Sequence, residues 1–230
     1  MTADRVDWAR IGLAVFDVDG TLYDQRALRY RMLLDLARHT IASRSLQTAR
    51  VLQRFRRLRE ALGEEELDGF QAALVERTTQ ATGVESRKVL DLVDEWIDRR
   101  PLVHLRRCRY PGVEKVFAAL RRRGKTIGIF SDYPAAAKLE ALGLSADLIV
   151  SATDATVDVL KPNPRGLTRL MQAAGAAADD TIMIGDRDER DGEAARRAGV
   201  ACLIRSNRPR SGSACFATYR DDCFLPLLEA

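Results

Sequence analysis

Short apolar runs recur along the chain and predict buried strands. The first, IGLAVF at residues 11–16, is almost continuously apolar and is interrupted by Asp17, which is typical of a strand covered on both faces of a parallel sheet. Four later runs share this character: TIGIFS (126–131), DLIVS (147–151), TIMIG (181–185) and VACLI (200–204). The pattern therefore predicts five parallel strands.

Segments with helical periodicity separate these strands. Each ends in a glycine where a helix C-cap is expected, and the four segments are 113–123, 135–142, 164–174 and 192–198. Strands that alternate with capped helices predict an α/β fold with a Rossmann-like, doubly wound parallel sheet. Ligands of such sheets bind beyond the carboxyl ends of the strands, so candidate chemistry is sought there.

Residues 25–105 follow a different pattern, with helical periodicity and no convincing strand. The predicted helices lie near 25–43, 46–62, 65–82 and 86–100, with breaks at Gly63, Gly83 and Pro101. We expect a small helical domain inserted after the first strand, with the α/β core formed by residues 1–24 and 106–230. Tyr110-Pro111-Gly112 is the expected return to that core, and residues 206–212 (SNRPRSG) are an expected exposed loop.

The amino-acid composition limits the kinds of catalytic and metal sites that we expect. The 230 residues are 46% hydrophobic, and neither a signal peptide nor a membrane span is indicated, so we expect a cytoplasmic protein. The four cysteines form no C-x-x-C pair, and His39 and His104 lie far apart, so zinc sites and histidine bases have little support. We therefore expect carboxylates to carry the acid–base chemistry.

The net charge of +4 comes with arginines concentrated between residues 26 and 59. Such a basic face could attract an anionic metabolite or a nucleic acid, but a solvated helix face is the simpler interpretation. Nucleic acid is therefore not the expected partner. The sequence does not predict an oligomeric state.

Two carboxylates follow the first strand directly. Asp17 and Asp19 lie two positions apart in FDVDGT, and residues at that spacing on an extended chain project to the same side. Carboxylates that close repel each other unless a cation or a shared proton intervenes, and Mg²⁺ prefers oxygen ligands. We therefore expect a divalent metal, an aspartate able to attack phosphorus and a second one able to pass protons. An ordinary Asp–Gly turn is the structural alternative.

Other predicted strand ends supply groups suited to a phosphoryl group. Thr21 and Ser131 offer hydroxyls, and Asp132 follows Ser131 directly. Lys161, in the run LKPNP, could neutralise both an attacking aspartate and the transferring group. Taken singly, a serine or a lysine at such a position is more often an ordinary surface residue.

Three further aspartates, Asp186, Asp188 and Asp191, lie in the run IGDRDERD, after the fourth predicted strand. Asp186, at the strand end, can complete a metal site. Asp191 is either a second acidic group of that site or the N-cap of the helix that starts near Gly192. The sequence leaves both interpretations of Asp191 open.

Taken in order, DVDGT, Ser131, Lys161 before a proline and the GDxxxxD run resemble the four motifs of the haloacid dehalogenase (HAD) superfamily, and the resemblance covers the whole chain. It implies a core sheet of order 5-4-1-2-3 and a C1-type helical cap for residues 25–105, which would close over the substrate. It also implies that Asp17 is the nucleophile and Asp19 the general acid–base.

The same resemblance assigns the remaining site residues. Ser131 and Lys161 correspond to the motif residues that bind the phosphoryl group. Mg²⁺ would be held by Asp17, the backbone carbonyl of Asp19 and Asp186, with Asp191 as the second acidic position of the fourth motif. The expected activity is a magnesium-dependent phosphatase that acts on a small phosphorylated metabolite through an aspartyl-phosphate.

Three alternatives accompany this expectation. Haloacid dehalogenases resemble the phosphatases in fold but do not keep the second aspartate, so Asp19 counts against dehalogenation. A phosphosugar mutase would share every core residue and differ in keeping phosphate on its substrate. A non-catalytic binding module would have no need for the full set of charged motif residues.

Overall fold

A six-stranded parallel sheet forms the centre of the molecule. The computed structural model describes residues 6–208 and 213–229. The strands are β1 (Leu13–Phe16), β2 (Thr126–Ser131), β3 (Leu148–Ser151), β4 (Thr181–Gly185), β5 (Ala201–Arg205) and β6 (Ala214–Phe216), in the order β3-β2-β1-β4-β5-β6. The predicted α/β fold and its five strands are confirmed. β6 extends the sheet beyond β5, and its three residues are too few to give a readable pattern.

The helical segment after β1 contains five α-helices: α1 (Gln25–Ser43), α2 (Gln47–Glu65), α3 (Phe70–Thr82), α4 (Ser86–Val93) and α5 (Leu102–Cys108). Residues Asp94–Arg99 continue α4 as a π-helix. The carboxylate of Asp24 caps α1 by accepting the backbone N–H groups of Arg26 and Ala27. α5 was not predicted, and it crosses residue 105.

The predicted helix break at Gly63 is wrong, because α2 continues through this residue to Glu65. A Cβ atom at position 63 would lie 2.4 Å from Nη1 of Arg190. Gly63 therefore admits the Arg190 guanidinium against α2 and does not end the helix.

The core helices follow as α6 (Val113–Arg122), α7 (Ala136–Leu142), α8 (Arg165–Ala174), α9 (Glu193–Arg197) and the short α10 (Leu225–Leu228). The four predicted core helices are confirmed, and the glycine after each has a positive φ of 62–69°. The fourth begins with a π-helical turn, Asp188–Gly192, so α9 itself is short. No helix of the described residues is long and apolar enough to cross a membrane.

Both faces of β1 are buried, which explains its continuous apolar sequence. Leu13 and Val15 belong to a cluster with residues of α8 and α9, whereas Ala14 and Phe16 belong to the larger cluster on the opposite face. β1 pairs with β2 on one side and β4 on the other. The residues that follow β1 therefore emerge at the middle of the carboxyl edge, between the ends of β2 and β4.

The expected loop at 206–212 lies partly outside the described residues, since 209–212 are not among them. Ser206 accepts the backbone N–H of Arg208 through its hydroxyl, and Asn207 and Arg208 are exposed.

Candidate active site

Asp17 lies at the carboxyl end of β1 and is 5% exposed. Its backbone N–H donates to the carbonyl of Ile184 at 2.9 Å, which extends the pairing of β1 with β4 by one residue. Its Oδ2 accepts a hydrogen bond from the Thr21 hydroxyl at 2.9 Å, and its Oδ1 lies 2.6 Å from the ammonium of Lys161. Backbone pairing and two side-chain contacts therefore fix the orientation of this carboxylate.

Lys161 is 2% exposed and joins two aspartates. Its Nζ lies 2.6 Å from Oδ1 of Asp17, 2.6 Å from Oδ1 of Asp191 and 3.3 Å from the carbonyl oxygen of Phe130. Burial lowers the pKa of Lys161, but the two aspartates outweigh it and hold that pKa well above the ordinary value. The site therefore contains a permanent positive charge against Asp17.

Asp191 is buried, and both of its carboxylate oxygens are engaged. Oδ1 accepts from Lys161, while Oδ2 accepts the backbone N–H groups of Asp186 and Arg187 at 3.1 and 3.0 Å. α9 has no side-chain cap. The N-cap interpretation of Asp191 is therefore wrong, since its carboxylate instead organises the turn after β4 and orients Lys161.

Asp186 follows β4 and carries an oxygen, Oδ1, that is buried without a hydrogen-bond partner among the described residues. Burial, and next the charge of Asp191, raise the pKa of Asp186 to about 7. A Cβ atom on Gly20, whose φ is +94°, would lie 2.2 Å from Oδ2 of Asp186. The glycine of DVDGT therefore makes room for this carboxylate.

These carboxylates fit a hard cation. Asp17, Asp186 and Asp191 each offer an oxygen within 4.8 Å of the others. Mg²⁺ prefers oxygen ligands, and it would supply the partner that the buried Oδ1 of Asp186 lacks among the described residues. Burial, opposed by Lys161, raises the pKa of Asp17 well above its usual range, so a second positive charge beside Asp17 would favour its ionised form.

Asp19 is held by two side chains that the sequence interpretation missed. The Lys138 ammonium lies 2.8 and 2.7 Å from its two carboxylate oxygens, and the Tyr23 hydroxyl donates to Oδ1. Burial raises the pKa of Asp19, but Lys138 and Tyr23 outweigh it, so the pKa lies below the ordinary value. A readable signal existed for Lys138, because it is a charged residue within the apolar stripe of α7 between Ala135 and Leu142.

Ser131 and Asp132 lie beside this cluster and not in contact with Asp17. Ser131 is fully buried at the end of β2, and its Oγ accepts the backbone N–H of Tyr133 at 3.2 Å. The Asp132 carboxylate accepts the backbone N–H of Lys161 at 3.1 Å. Asp132 therefore orders the Lys161 loop, and its predicted contact with phosphate stays a prediction.

Above these residues lies a cavity of about 390 Å³ that also borders the helical segment. Arg59 of α2 donates to the carbonyl of Asp132 and stacks 4.0 Å from the centre of the Tyr133 ring. Arg190 donates to the carbonyl oxygens of Lys161 and Glu60 at 2.8 and 3.0 Å. Both guanidinium groups therefore connect α2 to the strand ends, and neither was singled out from the sequence.

Known proteins are similar to this chain in sequence. A model of the haloacid dehalogenase-like hydrolases matches residues 11–199. A phosphoglycolate phosphatase from Mesorhizobium japonicum is 30% identical over 191 residues, which are 82% of this chain and 79% of that protein. These matches agree with the motif resemblance.

Solved structures share the fold. A 2-haloacid dehalogenase from Pseudomonas syringae pv. Tomato aligns with a TM-score of 0.67 at 21% identity, over 95% of this chain and 98% of the other. A β-phosphoglucomutase from Clostridium difficile aligns with a TM-score of 0.57 at 15% identity, over 91% and 92%. The chain belongs to the haloacid dehalogenase-like hydrolase family.

Proposed function

We propose that this hydrolase is a magnesium-dependent phosphatase that cleaves small phosphomonoesters through a phosphorylated Asp17. The observation that carries the proposal is the contact of Asp17 Oδ1 with the buried Lys161 ammonium, beside the unpartnered oxygen of Asp186. The name of the Mesorhizobium relative, a phosphoglycolate phosphatase, supports the same activity. A cytoplasmic location stays a prediction.

In the proposed reaction, Asp17 attacks phosphorus in line with the leaving alkoxide. Lys161 balances the charge of the nucleophile and of the transferring group, and the Ser131 hydroxyl and backbone amides at the strand ends would bind phosphoryl oxygens. Thr21 keeps the Asp17 carboxylate oriented through Oδ2. Lys161 itself is kept in place by Asp191 and by the carbonyl of Phe130.

Asp19 is the proposed acid and base. Because its pKa is low without substrate, Asp19 would first take up a proton from solvent beside the negatively charged phosphoryl group. It would pass that proton to the leaving alkoxide and then deprotonate the water that hydrolyses the aspartyl-phosphate. The contacts of Lys138 and Tyr23 hold its carboxylate toward the cavity. A dehalogenase does not need a carboxylate at this position, so this residue favours phosphoryl transfer.

Asp17, Asp186 and the backbone carbonyl of Asp19 are the proposed ligands of Mg²⁺. When bound, the ion supplies charge neutralisation at the transferring phosphoryl group. Residues 25–105 are the proposed cap, and the contacts that Arg59 and Arg190 make between α2 and the strand ends are consistent with a cover over the site.

The test measures phosphate release from p-nitrophenyl phosphate with Mg²⁺ and with EDTA. We expect activity that EDTA abolishes and that Asp17→Asn removes without loss of folding by circular dichroism. Asp179→Asn, the same chemical change at an exposed residue paired with Arg10 before the amino end of β4, is the matched control and should retain activity.

Three outcomes would overturn the proposal. Substantial phosphate release by Asp17→Asn would exclude Asp17 as the nucleophile. Conversion of a phosphosugar to its isomer without free phosphate would identify a mutase, and no turnover of a broad phosphomonoester panel would favour a binding module.

A further inference from the structure

A second cavity adjoins the one above Asp17. It also has a volume of about 390 Å³ and lies between the first two helices and the core. The two cavities share five lining residues: Asp19, Gln25, Arg29, Glu60 and Tyr133. Because Asp19 is the proposed proton donor to the leaving alkoxide, the second cavity lies on the side to which the leaving group would extend.

The charge of this second cavity is uncompensated. The exposed side chains of Arg29, Arg56 and Arg57 line it, and none of the three guanidinium groups makes a hydrogen bond or ion pair within the described ranges 6–208 and 213–229. Its acidic lining residues are already paired, since Asp19 is bound to Lys138 and Glu60 to Arg187. An anionic group is therefore the complementary ligand.

Arg29 differs from the other arginines that line the cavity above Asp17. Arg59 is engaged by the carbonyl of Asp132, Arg187 by Glu60, and Arg190 by the carbonyl of Lys161. Among these arginines, Arg29 is the one that lines both cavities, and its guanidinium group contacts no partner among the described residues. Its five N–H donors are thus available to a ligand that spans the two spaces.

The wall of the second cavity also has an apolar part. Leu28 and Met32 of α1 line it and are buried, as is Ile97. A ligand that fills the cavity would place apolar atoms on this wall and an anionic group at the guanidinium.

We propose that the second cavity is the leaving-group subsite and that Arg29 binds a second anionic group on the alcohol portion of the substrate. The substrate class is then a phosphomonoester whose alcohol carries a carboxylate or a second phosphate on an apolar scaffold. This inference rests on the proposed phosphatase function and adds its specificity determinant.

The experiment compares substrates that differ in one group. Phenyl phosphate, 4-carboxyphenyl phosphate and 1,4-phenylene bisphosphate share a scaffold, and the last two present a carboxylate and a phosphate at the same position. We expect kcat/KM to be at least tenfold higher for one or both of the esters that carry the second anionic group than for phenyl phosphate. Which of the two is preferred distinguishes a carboxylate from a phosphate as the second group.

Substitution of Arg29 should remove this preference. In Arg29→Met the ratio of kcat/KM between the preferred ester and phenyl phosphate should fall by about 10- to 100-fold, as expected for loss of a charge-assisted hydrogen bond. Arg29→Lys should retain part of the ratio because it keeps the charge. Arg54→Met is the matched control, because Arg54 is an exposed arginine of α2 that lines neither cavity, and it should keep the parent ratio.

The failure of the subsite and that of the phosphatase function give different results. Hydrolysis of all three esters with equal kcat/KM, or a ratio unchanged in Arg29→Met, would overturn the subsite and leave the phosphatase function intact. Absence of Mg²⁺-dependent phosphate release from all three would overturn both.

Discussion

Replacement of Lys138 by methionine tests the electrostatics around Asp19. The Lys138 side chain is 7% exposed and that of Asp19 is 15% exposed, so the pair is largely shielded from water. Removing one partner of a buried ion pair costs about 3–5 kcal/mol, because the remaining charge stays buried. Tyr23 still donates to Asp19 in the variant, so we expect the lower end, about 3 kcal/mol in the free energy of unfolding.

This cost should depend on pH in a defined direction. In the parent, the pKa of Asp19 lies below its ordinary value, so its contribution to stability is present above the unfolded-state pKa and is lost only as pH falls through the folded pKa. Without Lys138, burial raises the pKa of Asp19 above that of the unfolded chain. The difference in stability between parent and variant should therefore shrink as pH falls through the new pKa. Burial also raises the pKa of Asp98, and the charge of Lys138 lowers it. Loss of Lys138 therefore raises the pKa of Asp98 as well as that of Asp19.

Urea unfolding at a series of pH values from 8 to 5 measures this difference. Lys115→Met is the control, since Lys115 is exposed on α6 and its loss should change stability by less than about 0.5 kcal/mol. A cost for Lys138→Met below about 1 kcal/mol, typical of an exposed pair, would refute the reasoning. A difference in stability that is constant with pH would refute it as well.

Three further predictions concern the metal site and the contact with α2. Gly20→Ala should weaken Mg²⁺ binding measured by calorimetry, because the added Cβ would overlap the Asp186 carboxylate. Gly83→Ala is the control, since Gly83 also has a positive φ but no atom lies within 4 Å of the position of its added Cβ. This control should lose only about 1 kcal/mol of stability in thermal unfolding and keep its Mg²⁺ affinity. Apparent Mg²⁺ affinity should rise between pH 6 and 8, since the pKa of Asp186 is about 7 and a ligand must be deprotonated; equal affinity at both pH values would contradict this. Gly63→Ala should destabilise the protein by about 1–3 kcal/mol, because the added Cβ would overpack against Arg190. The same substitution made in an Arg190→Ala protein should cost less stability. An equal loss of stability in both proteins would contradict a clash with Arg190.

The fold was largely predictable because its signals are local. Five strands are short apolar runs, and glycines mark the ends of the core helices, so periodicity and caps suffice. β6 was missed because three residues leave little pattern, and α5 because it begins directly after Pro101 and crosses the expected return to the core. Gly63 misled the interpretation because its role depends on Arg190, which is 127 residues away in sequence and meets α2 only in the folded chain.

The candidate site was predictable where chemistry follows a strand end. Asp17 and Asp186 were found in this way, whereas Lys161 was found in the loop before α8 through its motif with the following proline, and the structure brings all three together. Lys138 and Arg59 lie within helices, and their relevance depends on how α7 and α2 pack against the strand ends. Long-range packing of that kind leaves only a faint trace in one sequence.

Acid quenching of the enzyme during turnover, followed by mass spectrometry of its peptides, tests the central claim most directly. We predict a phosphoryl group on the peptide that contains FDVDGT, located at Asp17 by fragmentation and absent from Asp17→Asn. Phosphate release without a modified Asp17, or a phosphoryl group on any other residue, would contradict the assignment of Asp17 as the nucleophile.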